Sequence, residues 1–301
     1  MPLSQNARGA VMMTLAMGVF TTNDAFVKLV TPEMNVGQIM FLRGLMTTAM
    51  LLLLARQAGL LRDIRQMLHR KVILRSTFEI GAAITYISAL AHIDLAVAAT
   101  ILLSLPLAVT FGAWLIFKEP VGWRRWSAIM VGFVGVLVVL RPSPEDFVPA
   151  SLLAVVAVFF TAGRDLTTRR LPPALPTLLV SLFAALTNTV FGAALILPFG
   201  GWSPVSGTAL MHLTAAAVLL MAGYQTIVIA MRSGEISVVA PFRYTSLIFS
   251  LSLGFYFFGE QPDAYMAIGA SLIVASGLYA FYREKRRASP LACATEPRVP
   301  H

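Results

Sequence analysis

The sequence holds ten stretches of about twenty mainly apolar residues, the length a helix needs to cross the ~30 Å hydrocarbon core of a bilayer. They lie near residues 9–29, 36–56, 72–91, 95–117, 124–141, 149–168, 176–197, 209–231, 236–258 and 263–282. The connectors are short, the longest running over residues 57–71, so no segment outside the membrane has the length of a separate domain. A soluble chain of this size needs a charged skin, and here only 12% of residues are charged while 57% are hydrophobic. That excludes an ordinary soluble enzyme, a disulfide scaffold, a coiled coil and a disordered chain. Backbone groups inside lipid must be satisfied within the chain, and stretches of this length do so as helices. The predicted fold class is therefore an all-α polytopic membrane protein with ten transmembrane helices. The first stretch reads as one of these helices rather than a cleaved leader, because only Arg8 precedes it and its apolar run is long enough to span.

The formal net charge of +9 has a membrane explanation. With the N-terminus inside, nineteen Lys and Arg residues fall on the cytoplasmic side, Arg75 and Arg164 among them, against Lys28 and Arg141 on the other. Arg43 and Arg243 lie within helices. This bias places both termini in the cytoplasm and the protein in a bacterial-type inner membrane. The expected partners are the lipid bilayer and a small-molecule substrate, with no nucleic acid, in a monomer. The lone cysteine, Cys293, excludes an internal disulfide and a cysteine-based metal site. Residues 284–301 read as a polar, disordered cytoplasmic tail.

The two halves of the chain match at a constant offset of 141 residues. Asp24 falls on Asp165, Lys28 on Arg169, Asp94 on Glu235 and Glu119 on Glu260. The predicted units are residues 1–141 and 142–283, with five helices each. Five is odd, so the second unit enters the membrane from the opposite side. Such an inverted repeat is the architecture of secondary transporters, whose substrate sites lie near the midplane between the repeats.

The run Ala240-Pro241-Phe242-Arg243-Tyr244-Thr245, followed by Phe258-Gly259-Glu260 and Ile268-Gly269-Ala270, resembles the second repeat of the EamA family, within the drug/metabolite transporter superfamily. Arg43, Pro106 and Phe117-Lys118-Glu119 give the matching pattern in the first repeat, with Lys118 standing where the second has Gly259. The resemblance covers residues 9–283. It implies a 5 + 5 inverted arrangement around a central cavity, and often export of amino acids or other metabolites. In size and form the chain is also similar to the YddG-type exporters of aromatic and other neutral amino acids.

Ionisable groups within the hydrocarbon are costly and so mark function. Helix rise puts Asp24 about 8 Å and Arg43 about 11 Å below the outer face, where a salt bridge between them is expected as a clasp or gate. Asp165 joins them as a gating or structural residue. Glu79 and Arg243 lie about 11 Å in from the cytoplasmic face and have apolar repeat partners, Leu220 and Leu102. Charges that break the repeat are the better substrate ligands: Glu79 for an ammonium and Arg243 for a carboxylate. Tyr86 shares a helix face with Glu79, and Ser246 with Arg243; Tyr224 and Gln225 lie mid-membrane. Tyr244, with Trp114, Phe159 and Phe160, is a candidate wall for a flat apolar group. Pro106 predicts a kink in the fourth helix. Glu119 and Glu260 are placed to cap the helices that follow them. Gly132, Gly135, Gly269 and Gly277 allow the fifth and tenth helices to pack closely.

The chain has no GxxxxGK[ST], HExxH or GxSxG run. No cofactor, metal or catalytic residue is expected. The reading is a secondary transporter exporting small metabolites, aromatic and other neutral amino acids first. The alternatives are another solute class, such as a nucleoside, drug or S-adenosyl compound, and more remotely a lipid enzyme built on His92 and Asp94.

Overall fold

A computed structural model describes residues 4–61, 67–119, 121–141, 148–172, 174–233 and 235–293. Arg62, Arg65 and the end of the tail lie outside the described residues. Those described are helical or connecting, with no strand among them. The helices are α1 (Gln5–Val30), α2 (Val36–Gln57), α3 (Arg70–Leu90), α4 (Leu95–Leu102), α5 (Leu105–Phe117), α6 (Trp123–Leu140), α7 (Ala150–Thr168), α8 (Thr177–Ile196), α9 (Gly207–Arg232), α10 (Ile236–Val239), α11 (Ser246–Phe258) and α12 (Ala264–Cys293). A 3-10 segment, Ala240–Thr245, joins α10 to α11. Counting α4–α5 and α10–α11 as one crossing each gives the ten expected membrane helices.

Eight crossings are long and apolar enough to span by length and composition alone. The other two are α3, which carries Arg70, Lys71, Arg75 and Glu79, and the broken α10–α11 crossing, which carries Arg243. Their polarity and irregular backbone are tolerable only where protein or a wet cavity surrounds them.

The repeat is visible in the helix boundaries. Val36 and Thr177, Leu95 and Ile236, Leu105 and Ser246, and Trp123 and Ala264 each start equivalent elements at the same offset as the sequence matches. Lys118 and Gly259 end equivalent helices, and both are left-handed C-caps with φ of 53° and 65°. The packing obeys the same relation. α2 lies against α8 and α6 against α12, each pair being equivalent to itself, while α1 on α9 and α3 on α7 exchange.

Glycines set the two self-equivalent contacts. A Cβ on Gly37 would lie 2.6 Å from the Leu195 backbone, and one on Gly192 would lie 2.5 Å from the Phe41 amide. Gly135 and Gly269 face each other's carbonyl oxygens across α6 and α12, as expected. Gly132 also faces α12 at Ser276 and receives Leu107 besides, whereas Gly277 receives the Tyr244 hydroxyl.

Pro106 does not kink a continuous helix. The fourth crossing breaks at residues 103–104, and Pro106 sits in the first turn of α5, where its missing N–H costs nothing. Pro241 similarly opens the 3-10 segment. The tail also differs from expectation, since α12 continues to Cys293.

The end remote from the N-terminus, here the far face, is sealed. Val30, Ile39, Leu95 and Leu213 have no exposed surface. Gln38, fully buried, exchanges hydrogen bonds of 2.8 and 2.9 Å with the Ser203 backbone, and Asn35 donates to the Gly201 carbonyl at 2.6 Å. Arg141, at the end of α6, pairs with Asp263, just before α12.

Candidate functional site

Between the repeats lies a cavity of about 660 Å³. Its lining reaches Arg75, Thr177 and Phe281 toward the face bearing the N-terminus, and stops beneath the packed far face at Val27, Met40 and Leu90. An apolar cluster that includes Val30, Ile39, Ile93, Leu95 and Leu213 fills the far end beyond the cavity.

Glu79, Tyr86, Tyr224, Gln225, Arg243, Tyr244 and Ser246 all line this space, as do Asp24, Arg43 and Pro106. Asp165 is not part of the lining; it pairs with Arg164 at 2.9 Å. Trp114 packs against Trp126 with ring centroids 4.8 Å apart, and neither it nor Phe159 nor Phe160 reaches the cavity. Ser250 is fully buried and its hydroxyl donates to the Leu247 carbonyl.

The charge pairing differs from the sequence expectation. Glu79, expected to bind a substrate ammonium, is engaged by two guanidinium groups of the chain itself. One turn of helix brings Arg75 within 3.4 Å of its carboxylate, and Arg164 from α7 approaches the other oxygen at 3.3 Å. Arg164 also donates to Asp165 at 3.0 Å through Nε, so it ties α3 to α7 while bridging two carboxylates. Nor is there an Asp24–Arg43 salt bridge. The Asp24 carboxylate accepts from Asn23 Nδ2 at 2.9 Å and from the Tyr86 hydroxyl at 3.0 Å. Among the described residues, Arg43 and Arg243 have no ion-pair partner within 4.0 Å, although Asp24, Tyr224 and Glu79 surround Arg43 and Asp165 lies near Arg243. The lining thus carries four arginines against two carboxylates, Asp24 and Glu79.

Sequence reasoning missed Arg75 and Arg164, which it assigned to the cytoplasmic surface because both lie near helix ends. Two signals were available: Arg75 is spaced i,i+4 from Glu79, and Arg164 adjoins Asp165 where the first repeat has Asn23 before Asp24. Asn23 and Asn188 also line the cavity, each with a side-chain oxygen that has no hydrogen-bond partner among the described residues. The Tyr244 hydroxyl is buried and likewise unpartnered.

The remaining acids have structural positions. Glu260 does not cap the helix that follows it. It accepts from the Leu95 amide at 2.8 Å and the Ala96 amide at 3.3 Å, capping α4 from the other repeat. His92 is exposed and its Nδ1 meets the Ser88 carbonyl, so with Asp94 it forms no reactive cluster.

The model of the EamA-like transporter family matches this chain twice, over residues 7–141 and 148–282, one match per five-helix repeat. The chain belongs to the EamA-like transporter family. It is a multi-pass small-molecule transporter and not an enzyme. A riboflavin transporter of Vibrio cholerae is 33% identical over 58% of this chain and 59% of its own length, so the match spans less than two thirds of that relative. An S-adenosylmethionine uptake transporter of Rickettsia bellii is 27% identical over 89% of this chain and 91% of its own. The pseudopaline exporter CntI of Pseudomonas aeruginosa is 25% identical over 89% and 94%. A solved crystal structure with 19% identity superposes with a TM-score of 0.64, covering 92% of this chain and 98% of that one, and supports the fold.

Proposed function

We propose that this EamA-family protein moves metabolites with an amino-acid head group, aromatic and other neutral amino acids among them, by alternating access. In the bacterial inner membrane, with both termini in the cytoplasm, the structure would be the inward-facing state and the natural direction export.

The observation that carries this reading is a pair of arginines, Arg43 and Arg243, with no ion-pair partner within 4.0 Å among the described residues, facing a cavity that also holds Asp24. A guanidinium within a membrane protein that no carboxylate contacts directly calls for an anion, and its planar donor fork fits a carboxylate. Asp24 takes the role that the sequence suggested for Glu79. Glu79 is engaged by two arginines, whereas Asp24 receives only neutral donors and is open to an ammonium. Tyr86, Tyr224 and Tyr244 supply flat apolar surface with polar edges for the body of the substrate.

The test is counterflow into proteoliposomes loaded with phenylalanine, S-adenosylmethionine or riboflavin. Phenylalanine exchange is expected, and Arg43→Ala and Arg243→Ala are each expected to reduce it ten- to a hundredfold, the value of a lost charge-assisted hydrogen bond. S-adenosylmethionine carries the same head group but an added positive charge, and the arginine surplus disfavours it. Transport of riboflavin alone would overturn the head-group assignment in favour of a flat-ring cargo, which the tyrosine-rich lining also accommodates.

A further inference from the structure

At the far face, Glu260 and Lys28 together make a lock of four contacts. Its carboxylate holds Lys28 Nζ at 2.6 Å and the first two amides of α4, while the same Nζ donates to the Ile93 carbonyl at 2.6 Å. Lys28 also sits over the Phe258 ring, 4.9 Å from its centre. The lock therefore joins the end of α11 in the second repeat to α1, α4 and the turn before it in the first. Both side chains are nearly covered, at 14% and 7% exposure, so solvent screening is weak. Asp94 and Arg141 are the other charged groups nearby, and burial together with Glu260 pushes the Asp94 carboxyl above the usual range.

The repeat offset carries Glu260 onto Glu119 and Lys28 onto Arg169. These two residues are exposed at the N-terminal face and are not paired with each other. The backbone that positions them is nonetheless the same. The Glu119 amide returns to the Ala113 carbonyl as the Glu260 amide returns to the Gly254 carbonyl, and both follow a left-handed cap. Arg170, next to Arg169, already stacks 3.9 Å from the centre of the Phe117 ring, which is equivalent to the Phe258 ring beneath Lys28.

We infer that Glu119 and Arg169 are the second lock: in the opposite conformation they pair and close the N-terminal face while Glu260 releases Lys28 and the far face opens. The inference rests on the alternating-access reading above and adds to it the residues that hold each end shut. An inverted repeat reaches its second state by exchanging the conformations of its halves. The bond made by Glu260 in one state then falls to Glu119 in the other. Each lock biases the equilibrium only through the state in which it forms.

The experiment uses a Cys293→Ser, Leu90→Cys protein in proteoliposomes, probed from the far-face side with a membrane-impermeant maleimide. Leu90 is 1% exposed beneath the far-face seal, so labelling reports opening of that face. Glu119→Gln and Arg169→Gln are expected to lower the labelling rate about tenfold, and Glu260→Gln to raise it by a similar factor. The charge exchange Glu119→Arg with Arg169→Glu should restore labelling. Both residues are exposed in the observed state, so these variants retain its packing. Labelling in the parent that is unchanged by Glu119→Gln and Arg169→Gln, or not restored by the exchange, overturns the second lock. No labelling in the parent under transport conditions overturns alternating access itself, and the inference falls with it.

Discussion

Arg164→Ala is expected to lower the unfolding free energy by about 3 kcal/mol, near the lower end of what breaking a buried ion pair costs. The effect is large because one guanidinium serves two acids: Glu79 at 3.3 Å and Asp165 at 2.9 Å. Removing it leaves Asp165 without its cation and Glu79 with Arg75 alone, whose closest approach is 3.4 Å. The Glu79 Oε2 atom, already buried without a hydrogen bond, gains nothing in exchange. Adding Glu79→Gln to Arg164→Ala should recover more than about 1 kcal/mol, because the residues are coupled and one buried charge is then gone. Thermal unfolding in detergent for the two single variants and the double measures this coupling. Strict additivity would show that Arg164 and Glu79 do not act as a unit. Arg164→Lys should retain the charge but lose the bridge between the two acids, giving an intermediate loss.

Gly192→Leu is expected to destabilise the protein by about 3 kcal/mol or more, at or beyond the upper end of ordinary overpacking. The new Cβ would meet the Phe41 amide at 2.5 Å and the Met40 carbonyl carbon at 2.9 Å. These are backbone atoms and cannot rotate away, so α2 and α8 must separate. Membrane helices have little hydrophobic drive to reassociate, and close backbone approach supplies much of what holds them. Gly207→Ala is the control, because nothing lies within 4 Å of a Cβ there. Size-exclusion profiles and melting temperatures of the two variants decide the matter. A Gly192→Leu protein as stable as Gly207→Ala would mean that this helix pair does not hold the repeats together.

Much of the candidate site was legible in the sequence through one argument, the cost of polar groups in lipid. That cost confines Asp24, Arg43, Glu79 and Arg243 to a common interior, and the structure has all four around one cavity. Partner choice was not legible. Rise along a helix gives depth but not the direction a side chain faces, so Glu79 and Arg243 at similar depth were assigned to the two ends of one substrate. In the fold, Glu79 meets Arg164 of α7, while Arg243 lines the same cavity from the 3-10 segment without an ion-pair partner among the described residues. Arg75 and Arg164 were misplaced for a related reason: a count of positive charges near helix ends separates the two faces of the membrane but cannot tell a side chain reaching headgroups from one turned inward.

The sequence by itself determined the number of crossings, the inverted repeat and the family, because these rest on hydropathy and on self-similarity at a fixed offset, both of which survive without knowledge of contacts. Only the tertiary structure decided which charges pair, where the fourth and ninth crossings break, and which end is shut. Glu119 and Glu260 show the reason most clearly. They occupy equivalent positions with equivalent backbones, yet one is exposed and the other is locked to Lys28 and α4. A duplicated sequence supplies the same carboxylate and the same backbone turn twice; the packing of the whole bundle brings partners to the carboxylate at one face only.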